Sequence, residues 1–318
     1  MNLPSVKGRL VLNEPIAALT SLRVGGRAAI FAEPHGEEDL AALARLITAE
    51  GLPCFVLGRG SNVLVSDDGF PGLVLHLGSF FDWVRGEGQV IHAGASTDLP
   101  RLSNYAARRG LSGLEFAVAI PATVGGAVRM NAGAHGAAIS TVLDSARIFH
   151  LTGTALEILT ASDLDLEYRS SSLRADDIVC SATFILKPAD RDGIAERMQS
   201  NRRHRAQTQP SAAPNAGSMF ANPPGASAGG LIEAAGLKGS KVGGAEVSHV
   251  HSNFFLARPG ATAQNVYDLM ARVQTRVREQ SGILLVPEIR LFGAFDTSAN
   301  LTFSDKGPTD PVPQGGAN

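Results

Sequence analysis

The amino-acid sequence predicts an α+β fold, on three observations. At 318 residues the chain exceeds one ordinary hydrophobic core and suits two or three packed domains. Short apolar runs alternate with helical stripes, but without the regular βαβ rhythm of a doubly wound sheet. The 35 glycines follow no collagen period and no internal repeat. Such an excess implies many tight turns and places where backbone approaches a ligand closely.

The elements follow in order. Glu37 to Ala49 sets Leu40, Leu43, Ala44 and Ile47 on one helical stripe, and Gly51 supplies the stop. Cys54 to Leu57 reads as a strand, followed by the loop Gly58-Arg59-Gly60-Ser61-Asn62 and two more short strands, Val63 to Val65 and Leu73 to Leu75. Thr97 to Arg109 is a helix ended by Gly110. After a glycine-rich stretch from Ile120 to Gly136, strands resume at Ala146 to Phe149 and Ile178 to Leu186. Pro188-Ala189-Asp190 marks a boundary before a polar helix carrying Arg197, Arg202, Arg203 and Arg205, whose arginines read as a solvated face, with phosphate contact the alternative. The Pro/Gly/Ala/Ser-rich connection Gln209 to Gly229 is too long for an idle loop. A short helix at Leu231 to Ala235 and a longer one at Ala263 to Gln280 follow, the latter with Val266, Leu269, Val273 and Val277 along one side. Ile283 to Leu291 is the expected last strand, and the residues from Asp305 onward have nothing to bury and are expected to be disordered.

Composition excludes more than it identifies. A formal net charge of -2 gives no field to attract nucleic acid or an anionic membrane. No segment approaches the roughly 18 apolar residues of a membrane span, and Met1 to Thr20 lacks the pattern of a secretory signal. A cytoplasmic protein is expected, with no metal. Cys54 and Cys180 each lie in an apolar run and read as buried free thiols.

The loop Gly58 to Asn62 invites a dinucleotide reading of the Rossmann kind. That turn needs a third glycine and a following helix, whereas here the loop leads into strand-like Val63-Leu64-Val65. What remains is a strand-loop-strand turn whose amides could form an anion-binding nest, with a plain hairpin turn as the competing reading. A second loop, Ile120-Pro121-Ala122-Thr123-Val124-Gly125-Gly126-Ala127-Val128, carries paired glycines, and Asn131-Ala132-Gly133-Ala134-His135-Gly136 follows at once. Runs of small residues let backbone lie against a flat or phosphorylated ligand, or against another backbone segment.

Together these segments resemble the UDP-N-acetylenolpyruvoylglucosamine reductases. Leu57-Gly58-Arg59-Gly60-Ser61-Asn62-Val63-Leu64, Pro121 to Ala127 and Met130-Asn131-Ala132-Gly133 occur in that family's order and approximate spacing, and Thr20 to Gly26 is similar to its opening signature. The similarity runs from about Thr20 to Gly293. It implies an FAD-binding fold of the vanillyl-alcohol-oxidase (PCMH) type, made of two α+β subdomains, plus a C-terminal α+β substrate domain. The expected boundaries are residues 1–19 as a lead, 20–187 for the FAD-binding domain, 188–303 for the substrate domain and 304–318 as a tail. The implied cofactor contacts are Leu57, Gly58, Arg59, Gly60, Ser61, Asn62, Val63, Pro121, Thr123, Val124, Gly125, Gly126, Asn131 and Gly133.

The catalytic set implied by the resemblance is Arg169, Ser218 and Glu288. Tyr168-Arg169-Ser170-Ser171 matches the family's Tyr-Arg-x-Ser, whose arginine faces the enolpyruvyl group. Asn215-Ala216-Gly217-Ser218-Met219-Phe220-Ala221-Asn222-Pro223 resembles the segment whose serine is the proton donor. In Val286-Pro287-Glu288-Ile289-Arg290, strand alternation puts Glu288 on a mostly apolar side with Leu284, Val286 and Arg290. A carboxylate there is costly unless paired or functional. The implied reaction uses bound FAD and NADPH as co-substrate, in turn with a UDP-sugar, to reduce an enolpyruvyl ether for peptidoglycan synthesis. Hydride reaches the β-carbon, negative charge develops on the carboxylated carbon, and a proton is added at the α-carbon. Tyr168, Asn222, Lys238 and His251 fall in segments that contact substrate in the family. A monomer is expected, with a UDP-sugar as its small-molecule partner and neither nucleic acid nor membrane.

The match departs at three positions. Ala119 and Ala122 stand where the family has glycines, and an alanine costs on the order of 1 kcal/mol wherever φ must be positive. Ala221 replaces a lysine expected near the substrate. The 49 positions from Arg169 to Ser218 (218 − 169) leave no room for a long tyrosine-bearing loop, which places the chain with the compact subgroup. The rival readings are another FAD-dependent oxidoreductase of the same fold, and a catalytically silent protein that binds flavin or a UDP-sugar.

Overall fold

The structure is a computed structural model that describes residues 3–211 and 213–303. The tail expected to be disordered, 304–318, lies outside the described residues. The chain divides into two compact units, each assembled from three chain segments: unit 1 from residues 1–12, 30–59 and 72–207, and unit 2 from 13–29, 60–71 and 208–318.

Among the described residues, unit 1 carries two larger sheets beside two short two-stranded ones. One has the order Arg9–Pro15, Arg27–Glu33, Phe70–His76, Cys54–Leu57, with Cys54–Leu57 parallel to Phe70–His76. The other is antiparallel in the order Ala155–Thr160, Leu143–His150, Asp177–Ile185, Val90–Gly94, Val84–Glu87. Their core includes Leu40, Leu43, Leu73, Leu75, Ile91, Leu102, Ile148 and Phe184. Helix α1 (Glu37–Glu50) buries Leu40, Leu43, Ala44 and Leu46, and ends at Gly51, whose φ of 62° is natural only for glycine. Asp39 on α1 is nearly buried. Burial pushes its carboxyl up, but amides of His35, Lys7 and Gly8 donate to it and hold it below the ordinary value. Helices α2 (Leu99–Arg108) and α3 (Val124–Arg129) follow.

The polar helix α4 (Arg191–Thr208) belongs to unit 1. It packs Ile194 and Met198 against Val118. Most of its arginines lie on the expected solvated face, and three of the four also reach a partner. Arg197 donates to the largely buried Glu115 at 2.7 Å, Arg202 reaches Asn104, and Arg205 donates to the Ala119 carbonyl. Burial raises the Glu115 carboxyl, and donation from Ser112, Arg197 and the Gly113 amide more than reverses this. Arg197, Arg202 and Arg203 are exposed, as the sequence predicts, and Arg205 is half-buried. Both cysteines are free, and burial pushes each thiol up to about 12, so both are inert packing groups.

Unit 2 holds a three-stranded antiparallel sheet, Lys241–Val242, Ala245–Val247 and Phe255–Ala257, with helices α5 (Ala228–Ala234) and α6 (Ala263–Ser281). Helix α6 opens on a reciprocal cap between Thr262 and Asn265, and Asp67 accepts from the Ala263 and Gln264 amides at 2.8 and 2.9 Å. Negative charge at a helix start is favourable, and the two orphan donors are satisfied. The predicted stripe Val266, Leu269, Val273 and Val277 is fully buried.

The last strand is shorter than expected. Only Arg290–Phe292 forms a ladder, parallel to Val63–Val65, while 283–289 makes a single bridge between Phe220 and Pro287. Pro287 has no N–H to give a ladder. The face directed into the core is that of Leu285 and Ile289, so Glu288 lies on the opposite, half-exposed side. It shares that side with Leu284, Val286 and Arg290, the grouping expected from the alternation.

Candidate functional site

In unit 1 the two glycine loops meet. The strand Cys54–Leu57 pairs with Phe70–His76 and not with Val63–Val65, which lies in a different sheet, so the loop between them is no hairpin turn. Leu57 and Gly58 line a cavity together with Ser96, Thr123, Gly125, Gly126, Arg129 and Asp177. Thr123 caps α3, accepting the Gly126 amide at 3.3 Å, and a Cβ at Gly58 would come within 2.8 Å of the Thr123 hydroxyl. The cavity is lined by glycine backbone, Ser96 and Thr123, apolar side chains, Arg129 and Asp177. Such a lining suits the phosphate and ribose of a dinucleotide. Arg59 instead pairs with Asp98 at 2.6 Å, Pro121 is exposed, and Val124 is packed in the core.

A second cluster in unit 1 joins Asn131, Gly133, Tyr168 and Arg169. Glu167 and Ser170 bond reciprocally across a turn, and the Asn131 amide donates to the Glu167 carbonyl at 2.9 Å while its oxygen accepts from Ser140. Arg169 sits at the turn with φ 58° and donates to the Gly133 carbonyl at 3.1 Å. Its guanidinium also lies 5.0 Å from the centre of the Tyr168 ring, which is 56 % exposed.

In unit 2 the backbone brings Ser218 and Glu288 together. Ser218 bridges to Phe254, the Glu288 amide donates to the Met219 carbonyl at 2.8 Å, and the Ala221 amide donates to Val286 at 2.9 Å. The segment 218–221 is thus held from both sides. From the first glycine loop, Asn62 donates to the Glu288 carbonyl at 3.2 Å and accepts from the Arg290 amide at 3.0 Å. Gly60 and Ser61 complete this turn, and the Gly60 carbonyl accepts from the Ser21 amide. Gly60 has φ 62°, and a Cβ there would lie 2.3 Å from the Leu19 carbonyl oxygen.

Lys238 and His251 also gather in unit 2. Lys238 is engaged by Glu233 at 2.6 Å, a partner the sequence reading did not foresee. Burial holds the His251 imidazole below its ordinary value, and the charge of Lys238 adds to this. Asn222 accepts from the Ala228 amide and so fixes the approach to α5. Asn253 was missed. It is 2 % exposed and grips the Ser218 segment by side chain and backbone. The one signal in the sequence is a lone amide abutting the apolar run Phe254-Phe255-Leu256.

Residues 209–292 match the family profile described as UDP-N-acetylenolpyruvoylglucosamine reductase, C-terminal domain, and residues 28–159 match one described as FAD binding domain. A UDP-N-acetylenolpyruvoylglucosamine reductase of Symbiobacterium thermophilum is 43% identical over 287 residues, 90% of this chain and 93% of that one. That of Bacillus subtilis is 40% identical over 288 residues, 90% of this chain and 95% of the relative. The chain belongs to the UDP-N-acetylenolpyruvoylglucosamine reductase family. The crystal structure of the reductase from Thermus caldophilus superposes with a TM-score of 0.78 at 37% identity, covering 91% of this chain and all of that one. The α+β FAD-binding fold expected from the sequence is therefore the fold of this reductase family member.

The family's missing glycines prove harmless in this member. Neither Ala119 nor Ala122 has positive φ, so the backbone strain considered above does not arise. Ala119 closes a 3-10 turn and packs near Val118, and Ala122 packs on the core of unit 1. Gly60 is different. Gly60→Ala combines positive φ with a backbone clash and should destabilise by about 2–4 kcal/mol, lowering the melting temperature by roughly 5–15 °C. Gly58→Ala meets only the Thr123 hydroxyl and has no positive φ. It should change the melting temperature of the flavin-free protein by less than about 2 °C yet reduce flavin retention. Equal melting losses in the two variants would refute the distinction.

Proposed function

We propose that this chain reduces UDP-N-acetylglucosamine enolpyruvate to UDP-N-acetylmuramate, with FAD bound and NADPH as co-substrate, in peptidoglycan precursor synthesis. The observation that carries the reading is the pairing that holds Ser218 beside Glu288 in unit 2. FAD supplies hydride transfer between NADPH and the enolpyruvyl group. Leu57, Gly58, Thr123, Gly125 and Gly126 would hold it in unit 1, a role supported by the shared lining they form. Gly60, Ser61, Asn62 and Val63 of the same loop, with Asn131 and Gly133 of the Arg169 turn, complete the proposed cofactor contacts. Arg59, Pro121 and Val124 would contribute through their backbone alone.

Reduction at the β-carbon leaves negative charge beside the substrate carboxylate. Arg169 stabilises that charge, and Glu288 assists by donating a hydrogen bond when its carboxyl is protonated. Ser218 gives its hydroxyl proton to the α-carbon. Serine is a weak acid, so this step suits only a strongly basic carbanion. Lys238 and His251 recognise the UDP-sugar, with Tyr168 and Asn222 at the edge of the substrate. No helix among the described residues is long and apolar enough to cross a membrane. We place the enzyme in the cytoplasm as a monomer.

The test is oxidation of NADPH by the purified yellow protein with and without UDP-N-acetylglucosamine enolpyruvate. Oxidation that requires this substrate and yields UDP-N-acetylmuramate is expected. Flavin that NADPH reduces but that substrate cannot reoxidise would overturn the proposal, as would a protein that retains no flavin.

A further inference from the structure

We infer that Asn253 is a positioning residue that sets both Ser218 and His251, an inference that rests on the reading of Ser218 as proton donor. The Asn253 side chain behaves as one more strand residue. Its Oδ1 accepts the Phe220 amide at 3.0 Å, and its Nδ2 donates to the Phe220 carbonyl at 2.8 Å, so both backbone groups of Phe220 are satisfied by one amide. The Asn253 carbonyl accepts the Met219 amide at 2.8 Å. Three bonds from one residue therefore fix the two residues that follow Ser218.

Upstream, the Pro214 carbonyl accepts the Ala257 amide and Asn215 accepts the Gly217 amide, and Gly217 has φ 71°. On its C-terminal side Ser218 is set by Asn253 on one wall and by the Glu288 amide, bonded to Met219, on the other. The same residue reaches His251. The backbone N–H of Asn253 donates to His251 Nδ1 at 3.2 Å, which makes Nδ1 the acceptor and leaves Nε2 to carry the ring proton. His251 is further held by the Phe254 ring, 4.7 Å away between centroids. One buried residue therefore serves both segments without contacting the reacting atoms: its backbone holds His251, and its side-chain amide pairs with both backbone groups of Phe220.

Only an amide can do this. A buried side chain facing both an N–H and a C=O needs one acceptor and one donor in a plane. Asn253→Asp preserves the shape and the acceptor but sets a second oxygen against the Phe220 carbonyl. Asn253→Ser keeps a hydroxyl that can serve one of the two groups.

The experiment is a double-mutant cycle on flavin-loaded protein. Reduction of flavin by NADPH and its reoxidation by UDP-N-acetylglucosamine enolpyruvate are timed separately by stopped flow, in the native and Ser218→Ala backgrounds. In the native background Asn253→Asp should slow reoxidation roughly tenfold to hundredfold, the scale expected for a misplaced reacting group, with Asn253→Ser smaller. Reduction by NADPH should be unchanged. In the Ser218→Ala background either change should cost less than about threefold, because groups acting as one unit are not additive. Equal slowing in both backgrounds overturns the inference, as does no slowing in the native one. Failure of both variants to fold, judged by thermal transition and flavin content, assigns Asn253 a purely structural role and also overturns it. If unsubstituted protein shows no substrate-driven reoxidation, the functional reading itself fails and the inference falls with it.

Discussion

Replacing Ser218 with alanine is expected to slow reoxidation of the flavin by substrate roughly 10²–10⁴-fold, the usual worth of a general acid, while NADPH reduces the flavin at its native rate. The separation follows from chemistry, since only the enolpyruvyl half of the reaction creates a carbanion to protonate. It follows also from structure. Among the described residues the Ser218 hydroxyl takes part in none of the hydrogen bonds that hold its segment, which run through the backbone of Met219, Phe220 and Ala221. Removing a half-exposed hydroxyl of this kind changes stability within roughly ±0.5 kcal/mol. A lowered melting temperature would therefore point to a structural serine. Equal slowing of both half-reactions in stopped flow would remove the proton-donor assignment altogether.

The parts of this site legible in the sequence were those whose chemistry is local. The loop Gly58 to Asn62 declares itself because glycine at residue 60 is demanded by its own φ and by the Leu19 carbonyl oxygen that any side chain would strike. In the sequence Thr123 reads only as a cofactor contact in the second glycine loop, and its cap on the Gly126 amide is a finding of the structure. Asn253 was not legible, because its role is defined by Phe220, 33 residues away, and the apolar run it abuts does not identify that partner. The side that Glu288 shares with Leu284, Val286 and Arg290 was legible because alternation is local. That the other side turns inward was not, since it is decided by Leu285 and Ile289 packing in unit 2. For Ala119 and Ala122, a substitution pattern implied strain, whereas the dihedral angle alone decides it. The α4 arginines show the same limit. Their spacing reads as a solvated face, which holds for Arg197, Arg202 and Arg203, yet Arg197 also reaches the buried Glu115 and the Ala119 carbonyl draws Arg205 inward.

Arg169 offers the second large effect, and its backbone explains why. A β-carbon-bearing residue at φ 58° is disfavoured by about 1 kcal/mol relative to glycine, and such strain persists where the surroundings over-determine it. Here they do so through the reciprocal Glu167–Ser170 bonds and the Asn131 amide on Glu167. The guanidinium is further directed by the Gly133 carbonyl and the Tyr168 ring. Arg169→Gly would relieve the strain while losing the bond to Gly133 and gaining unfolded-chain entropy, so the stability change should be near zero, within about 1 kcal/mol. Its chemical consequence should be large. A preorganised donor to developing negative charge is worth about 3–4 kcal/mol, or roughly 10²–10³-fold in substrate-driven reoxidation. Arg169→Lys retains the charge but not the planar fork, and should recover only part of that loss. Full recovery by lysine would show that charge alone matters. If Arg169→Gly lowered the melting temperature sharply while sparing reoxidation, the strained turn would prove structural and the anion-stabilising role would pass to another cation.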